Sequence, residues 1–212
     1  MKKILVTGGA GFIGSHILEK CSEVPGLSVT VLDNLSSGFK EYVPLSMNLV
    51  QMDVRDKALI DFLLQEKFDT VIHLAAQTLV PFSMEYPLVD ADINIKGLIN
   101  LLEGCRKSGV KRIIFSSSAA VYGDNQHLPL TEKEIPAPTS FYGLSKVTAE
   151  SYIRLYYFTG CMESSCDLPM SMASGREKRV RAVSSVFLPV FFTNISPLPF
   201  LATVSRPGTL FM

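Results

Sequence analysis

The turn Thr7-Gly8-Gly9-Ala10-Gly11-Phe12-Ile13-Gly14 leaves this chain few choices of fold. It follows a short apolar run, Ile4-Leu5-Val6, of the kind buried in parallel sheets. A helical pattern continues to about Cys21. Gly9, Gly11 and Gly14 fit Gly-x-Gly-x-x-Gly, and Gly8, Gly11 and Gly14 fit the variant Gly-x-x-Gly-x-x-Gly. Glycines so spaced serve a tight turn, a close approach of backbone to pyrophosphate, and packing of helix on strand. The helix N-terminus adds N–H groups and a positive dipole end. A dinucleotide site at Gly8, Gly11, Phe12, Ile13 and Gly14 is therefore expected. The plainer alternative is a Gly-rich turn without a ligand, and the strand–turn–helix context weighs against it.

The alternation of strand and helix continues. A second strand over Ser28–Leu32 ends at Asp33, 19 residues past Gly14. A carboxylate at about that spacing binds ribose hydroxyls and repels a 2′-phosphate, so NAD is expected over NADP. Asn34 opens the loop around the adenosine. A third strand over Asn48–Met52 ends at Asp53 and Val54, a clamp for the adenine edge. Lys57–Lys67 reads as a helix, and Phe68–Leu74 as a fourth strand running into Ala75 and Ala76, small enough to pass close to a ligand. Pro87–Ser108 reads as one long helix carrying Asn94, Val110–Phe115 as a fifth strand, and Phe141 to about Phe158 as a further helix. The expected fold is α/β, a Rossmann-like doubly wound parallel sheet. Ligands of such sheets lie at the carboxyl ends of the strands, where these motifs fall.

Ser118 follows the fifth strand, and Tyr142 and Lys146 stand four apart on one helical face. Together they read as a proton-handling trio. A lysine cation beside a phenol is expected to lower its pKa, letting the phenolate act as a base. Ser116 and Ser117 have the commoner reading of satisfying backbone groups at a strand end. His73 reads as a packing residue, His16 and His127 as unpartnered, and Asp90, Asp92 and Lys96 as a solvated helix face.

The formal net charge is zero, which gives no pointer to nucleic acid. Cys21, Cys105, Cys161 and Cys166 show no metal-ligand spacing and read as thiols of a reducing compartment. The N-terminal apolar run is too short for a signal peptide, so a cytoplasmic protein is expected.

Over roughly residues 1–158 these motifs together resemble the extended short-chain dehydrogenase/reductase family, the NAD-dependent epimerases and dehydratases. The resemblance is nearest to the branch that inverts C4 of UDP-glucose or UDP-galactose. It implies that Asp33 and Asn34 bind the adenosine half and that Asp53 and Val54 flank the adenine. Leu74, Ala75 and Ala76 would line the cofactor, and Asn94 and Lys146 would steady its nicotinamide. Ser118 and Tyr142 would contact the sugar C4 hydroxyl, and hydride would be lent to NAD and returned through a 4-keto sugar. It also implies pairing into a homodimer through the helices near Pro87–Ser108 and Phe141–Phe158. The family's dehydratases resemble Thr-Asp-Glu where this chain has Ser118-Ala119-Ala120, and that demotes loss of water. A catalytically inactive NAD-binding remnant is the other alternative.

Past Phe158 the family pattern stops. Read one base out of frame, Ser165–Glu177 can encode Leu-Arg-[Ser/Phe]-Ala-Asn-Val-Tyr-Gly-x-Arg-Gln-Gly, similar to the family's sixth strand. Ala202–Met212 can encode another family-like motif in that same frame. Residues 159–212 are thus expected to be an out-of-frame, poorly ordered tail, leaving the chain truncated before the substrate domain and its activity weak or lost. The rival reading is a membrane anchor over Ala182–Ser205. Pro189, Asn194, Pro197 and Pro199 oppose it, because prolines interrupt helix hydrogen bonding in lipid.

Overall fold

A computed structural model describes residues 2–126, 130–131 and 134–158. Five parallel strands form one sheet: β1 (Lys2–Thr7), β2 (Leu27–Asp33), β3 (Asn48–Gln51), β4 (Thr70–His73) and β5 (Arg112–Phe115). Their order is β3-β2-β1-β4-β5, so the chain reverses direction across the sheet between β1 and β4. The reversal opens a crevice at the strands' carboxyl ends. The doubly wound α/β expectation is met.

Alternation along the strands feeds two cores. Leu5, Leu32, Val71 and Ile113 face helices α2 (Ala58–Glu66), α5 (Gly97–Ser108) and α6 (Phe141–Phe158), among Leu59, Leu63, Leu98, Leu101, Ala149 and Ile153. Ile4, Val6, Val31, Ile72 and Ile114 face α1 (Phe12–Ser22), among Ile17, Leu18 and Cys21. Both faces are covered, which is why β1 and β4 read as continuous apolar runs. Edge strand β3 is covered less and has an exposed residue at each end.

Two features depart from the expected elements. A short helix, α3 (Val80–Glu85), precedes α4 (Pro87–Ala91). The single helix expected over Pro87–Ser108 is broken, because α4 joins α5 through a π turn at Asp92–Lys96. A π turn widens the helix by one residue and re-aims the side chains it carries.

No described helix is long and apolar enough to cross a membrane. The expectations for residues 159–212, and for His127, lie outside the described residues.

Candidate dinucleotide and acid/base site

The Gly-rich turn is built by close approach. Gly8 has φ +71°, and a Cβ there would stand 2.5 Å from the Ala75 amide nitrogen. A Cβ on Gly14 would stand 2.5 Å from both the Gly8 carbonyl oxygen and the Gly9 Cα. Gly11 differs. Its extended backbone (φ −82°, ψ 178°) suits any residue, and a Cβ would meet only the Gly8 carbonyl oxygen, at 3.3 Å. Beyond that oxygen the space is open. The Ser15 N–H donates to the Gly11 carbonyl, so the N–H groups of Phe12, Ile13 and Gly14 precede the first intrahelical bond of α1. Open space above a helix N-terminus suits a pyrophosphate.

Asp33 ends β2 almost fully buried. One carboxylate oxygen accepts the Ala10 N–H at 3.0 Å and the other accepts the Leu35 N–H at 2.9 Å. It therefore ties the Gly-rich turn to the loop after β2. Asn34 Nδ2 donates to Asp53 at 2.8 Å. Arg55 grips Asp53 through Nε and one terminal nitrogen, both at 2.8 Å, and reaches Asp92 at 2.9 Å. These bonds hold the Asp53 carboxyl well below the usual range. Val54 is buried, and its carbonyl accepts from Asn100 Nδ2 at 2.9 Å.

After β4 the Leu74 N–H donates to the Thr7 carbonyl at 3.0 Å. The Ala75 N–H points to the Thr7 hydroxyl at 3.4 Å, and Ala76 continues the same rim. Asn94, on the π turn, is buried. Its Oδ1 accepts the Gln77 N–H at 2.9 Å, and its Nδ2 reaches the Gln77 carbonyl, Asp90 and Ser145. Asn94 thus braces the loop after β4 at Gln77.

Ser118 caps a short 3₁₀ turn, Ala119–Tyr122, its Oγ accepting the Ala120 N–H at 3.2 Å. The Ser118 side chain also acts on the Tyr142 phenol, tending to lower its pKa. Tyr142 lies in the first turn of α6, where the Ser83 hydroxyl of α3 accepts its N–H at 3.1 Å. Lys146 follows one turn later, 4% exposed, and its Nζ donates to the Ser116 carbonyl at 2.9 Å. That Nζ lies 4.7 Å from the Phe115 ring centroid and 5.8 Å from that of Tyr142. The three trio residues are therefore brought together at the carboxyl end of the sheet.

The expected electrostatics need correction. Tyr142 has its pKa raised in the protein alone, because burial outweighs the lowering from Ser118, and Asp90 raises it further. Lys146 is itself pulled down to about 8 by burial, while Asp90 and Glu150 pull it back up. A second correction concerns Asp90, which does not belong to a solvated face. It is 1% exposed and faces inward with Asn94, one turn away, whereas Asp92 and Lys96 pair outside at 2.8 Å. Ser117 bonds the Glu150 carboxylate rather than backbone. His16 has partners, with Glu19 at 3.8 Å and the Phe12 ring edge-on at 5.0 Å. His73 is the packing residue expected. It bonds the Thr7 hydroxyl at 2.7 Å and stacks on Phe115, and burial pushes it down to about 3. Among the described residues no group of His, Cys, Asp and Glu could hold a metal ion.

Comparison with known proteins supplies relatives for this arrangement. The pattern of the NAD dependent epimerase/dehydratase family matches residues 4–165. A putative UDP-glucose 4-epimerase of Methanocaldococcus jannaschii is 42% identical over 200 residues, covering 93% of this chain and 65% of its own length. That alignment extends past residue 158. The UDP-glucose 4-epimerase of Lacticaseibacillus casei is 42% identical over 148 residues, covering 69% of this chain and 44% of the relative. Among solved structures, the Thermotoga maritima UDP-glucose 4-epimerase with UDP-glucose is 40% identical with a TM-score of 0.72, over 77% of this chain and 54% of that one. The Brucella ovis UDP-glucose 4-epimerase in complex with NAD is 35% identical with a TM-score of 0.73, over 78% and 51%. The chain thus spans from under half to just under two thirds of the length of these relatives.

Proposed function

Because the chain belongs to the NAD-dependent epimerase/dehydratase family, we propose that it forms the NAD-binding and acid/base half of a nucleotide-sugar 4-epimerase of the UDP-glucose/UDP-galactose type. The observation that carries this reading is the meeting of Ser118, Tyr142 and Lys146 at the same end of the sheet as the Gly8–Gly14 turn.

Phe12, Ile13 and Gly14 offer N–H groups to the pyrophosphate. Gly11 leaves room for it, and Asp33 and Asn34 lie beside the adenosine ribose. Asp53 and Val54 border the adenine, and Leu74, Ala75 and Ala76 floor the crevice. Bound NAD⁺ would take up and return the hydride at sugar C4. Tyr142 holds or accepts the C4 hydroxyl proton, and Ser118 shares the hydrogen bond at that oxygen. Lys146, charged at neutral pH and enclosed, favours the phenolate once a second positive charge arrives on the nicotinamide.

The chain spans from under half to just under two thirds of the length of these relatives. Substrate positioning can contribute about 7–11 kcal/mol to a barrier. For the 212-residue chain we therefore infer NAD binding with weak or no turnover, in the cytoplasm, and a homodimer as its assembly. The test is calorimetric titration with NAD beside conversion of UDP-galactose to UDP-glucose followed by chromatography. NAD binding with little conversion is expected. No NAD binding refutes the reading, and brisk conversion refutes the weak-turnover part of it.

A further inference from the structure

Tyr142 lies in the first turn of α6, and the first N–H groups of any helix lack an acceptor within it. Ser140 caps this turn. Its Oγ accepts the Gly143 N–H at 3.0 Å and its carbonyl accepts the Leu144 N–H at 2.9 Å. That cap leaves the Tyr142 N–H to a partner from elsewhere. The partner is Ser83 of α3, 59 residues earlier in the chain, whose hydroxyl accepts it at 3.1 Å. Ser83 is fully enclosed, and its own hydroxyl proton goes to the Val80 carbonyl at 2.7 Å. With that proton directed into α3, the hydroxyl faces Tyr142 as an acceptor.

The Tyr142 carbonyl is held as well. Ser145 Oγ donates to it at 2.9 Å and accepts from Asn94 Nδ2 at 3.2 Å. Asn94 meets the Gln77 peptide through both ends of its amide. The Gln77 side chain in turn bonds the N–H and the carbonyl of Leu79, where α3 begins. The loop after β4 thus reaches Tyr142 by two routes, through α3 to its N–H and through Asn94 and Ser145 to its carbonyl. Only two torsions separate that anchored backbone from the phenol.

We propose that Ser83 is a positioning residue. By holding the Tyr142 N–H it fixes the first turn of α6 in the crevice and so aims the phenol beside Lys146, whose Nζ lies 5.8 Å from the ring centroid. Its bearing on catalysis rests on the proposed function, because it acts through Tyr142. Its test does not.

The test is proton NMR of the full chain without NAD. In the unsubstituted chain the Tyr142 amide is expected to exchange slowly with solvent, although it lies in a first turn. In Ser83→Ala its exchange is expected to quicken by about 10-fold or more relative to the Val6 amide of β1, which follows global opening. The cross-relaxation signal between the Tyr142 ring and the Lys146 side chain, assigned by its loss in Lys146→Met, is expected to weaken in the same variant. Ser83→Thr keeps a hydroxyl that can bond the carbonyl one turn back, and is expected to restore both readings. A merely structural Ser83 lowers stability in Ser83→Ala and leaves the ring signal in place. That outcome overturns the proposal, as does a Tyr142 amide that exchanges freely in the unsubstituted chain, or a ring signal in Ser83→Thr no stronger than in Ser83→Ala. The exchange rate in the unsubstituted chain decides the matter if the variants fail to fold. Failure to bind NAD would count against the proposed function and leave these readings standing.

Discussion

Gly14 and Gly11 separate folding from binding, and two single methyl groups test the separation. In Gly14→Ala the new Cβ would stand 2.5 Å from the Gly8 carbonyl oxygen and the Gly9 Cα, and 2.6 Å from the Gly9 carbonyl oxygen. All three are backbone atoms, which cannot swing aside. Ordinary contact begins at 3.4 Å, so α1 must retreat by the difference, 0.9 Å. Overpacking of this kind costs about 1–3 kcal/mol. Alanine in place of a helical glycine returns about 0.5–1 kcal/mol. The net loss of up to about 2.5 kcal/mol lowers Tm by up to about 10 °C for a chain of this size. The same retreat draws the N–H groups of α1 away from the pyrophosphate. Hydrogen bonds to charged groups contribute about 1.5–3 kcal/mol each, so losing one weakens NAD by about 10-fold or more. In Gly11→Ala the methyl meets one oxygen at 3.3 Å and adopts an unstrained backbone. Tm is expected to move by no more than about 2 °C. Yet the methyl stands in the space the pyrophosphate needs, and NAD is expected to weaken by about 10-fold or more. The chain has no tryptophan to report binding, so calorimetry gives affinity and dye-monitored melting gives Tm. Full NAD affinity in Gly11→Ala, or equal Tm losses in the two variants, would refute the reasoning.

Further outcomes follow from the buried groups. Lys146 titrates at about 8 when folded, against an ordinary value of 10.5, so the folded state binds fewer protons between those values and stability rises with pH there. Cys21, pushed up from 9.0 to about 11, opposes the rise above pH 9. Melting from pH 7 to 9 should therefore show Tm rising from pH 8. Lys146→Met should abolish the rise and raise Tm at pH 7, by removing a burial penalty of up to about 3 kcal/mol; a lower Tm at pH 7 would contradict this. Ser83→Ala should cost about 1–3 kcal/mol by stranding the buried Tyr142 N–H, and denaturant unfolding reads it. Cys105 is fully enclosed and its thiol is pushed far up, so its alkylation, followed by peptide mass spectrometry, should keep pace with global unfolding. Coding DNA read past the codon for Glu150 should continue the family pattern one base out of frame; absence of that pattern from the shifted frames ends that expectation.

The sheet was legible because each strand is an apolar run bounded by punctuation, and the Gly-rich turn because its spacing reports backbone geometry directly. Boundaries slipped where tertiary contacts took residues away. Phe68 leaves the expected fourth strand to pack on Phe62, with ring centroids 5.7 Å apart, and Asp69 turns to the Lys3 N–H at 2.9 Å. The π turn was illegible because its partners, Gln77 and Ser145, lie 17 residues before and 51 after Asn94. Asp90 was misread by charge counting, which treats Asp90, Asp92 and Lys96 alike although only the last two share the outer face. The i, i+4 pair Asp90 and Asn94 was the available signal. Tyr142 and Lys146 were found by spacing, but spacing carries no burial, and burial decides the direction of their shifts.

Strand order also sets a timetable for synthesis. β1 leaves the ribosome first yet lies at the centre of the sheet. Ile4 meets Val29 on one side after 25 residues, and Thr70 on the other only after 66. At about 5–20 residues per second the second partner arrives about 3–13 s after the strand it joins. Through that interval the growing chain carries an open edge of apolar backbone. The Gly8 turn also lacks Ala75, the residue against which it closes. NAD can therefore reward only the later part of assembly, and the first 70 residues must survive without it.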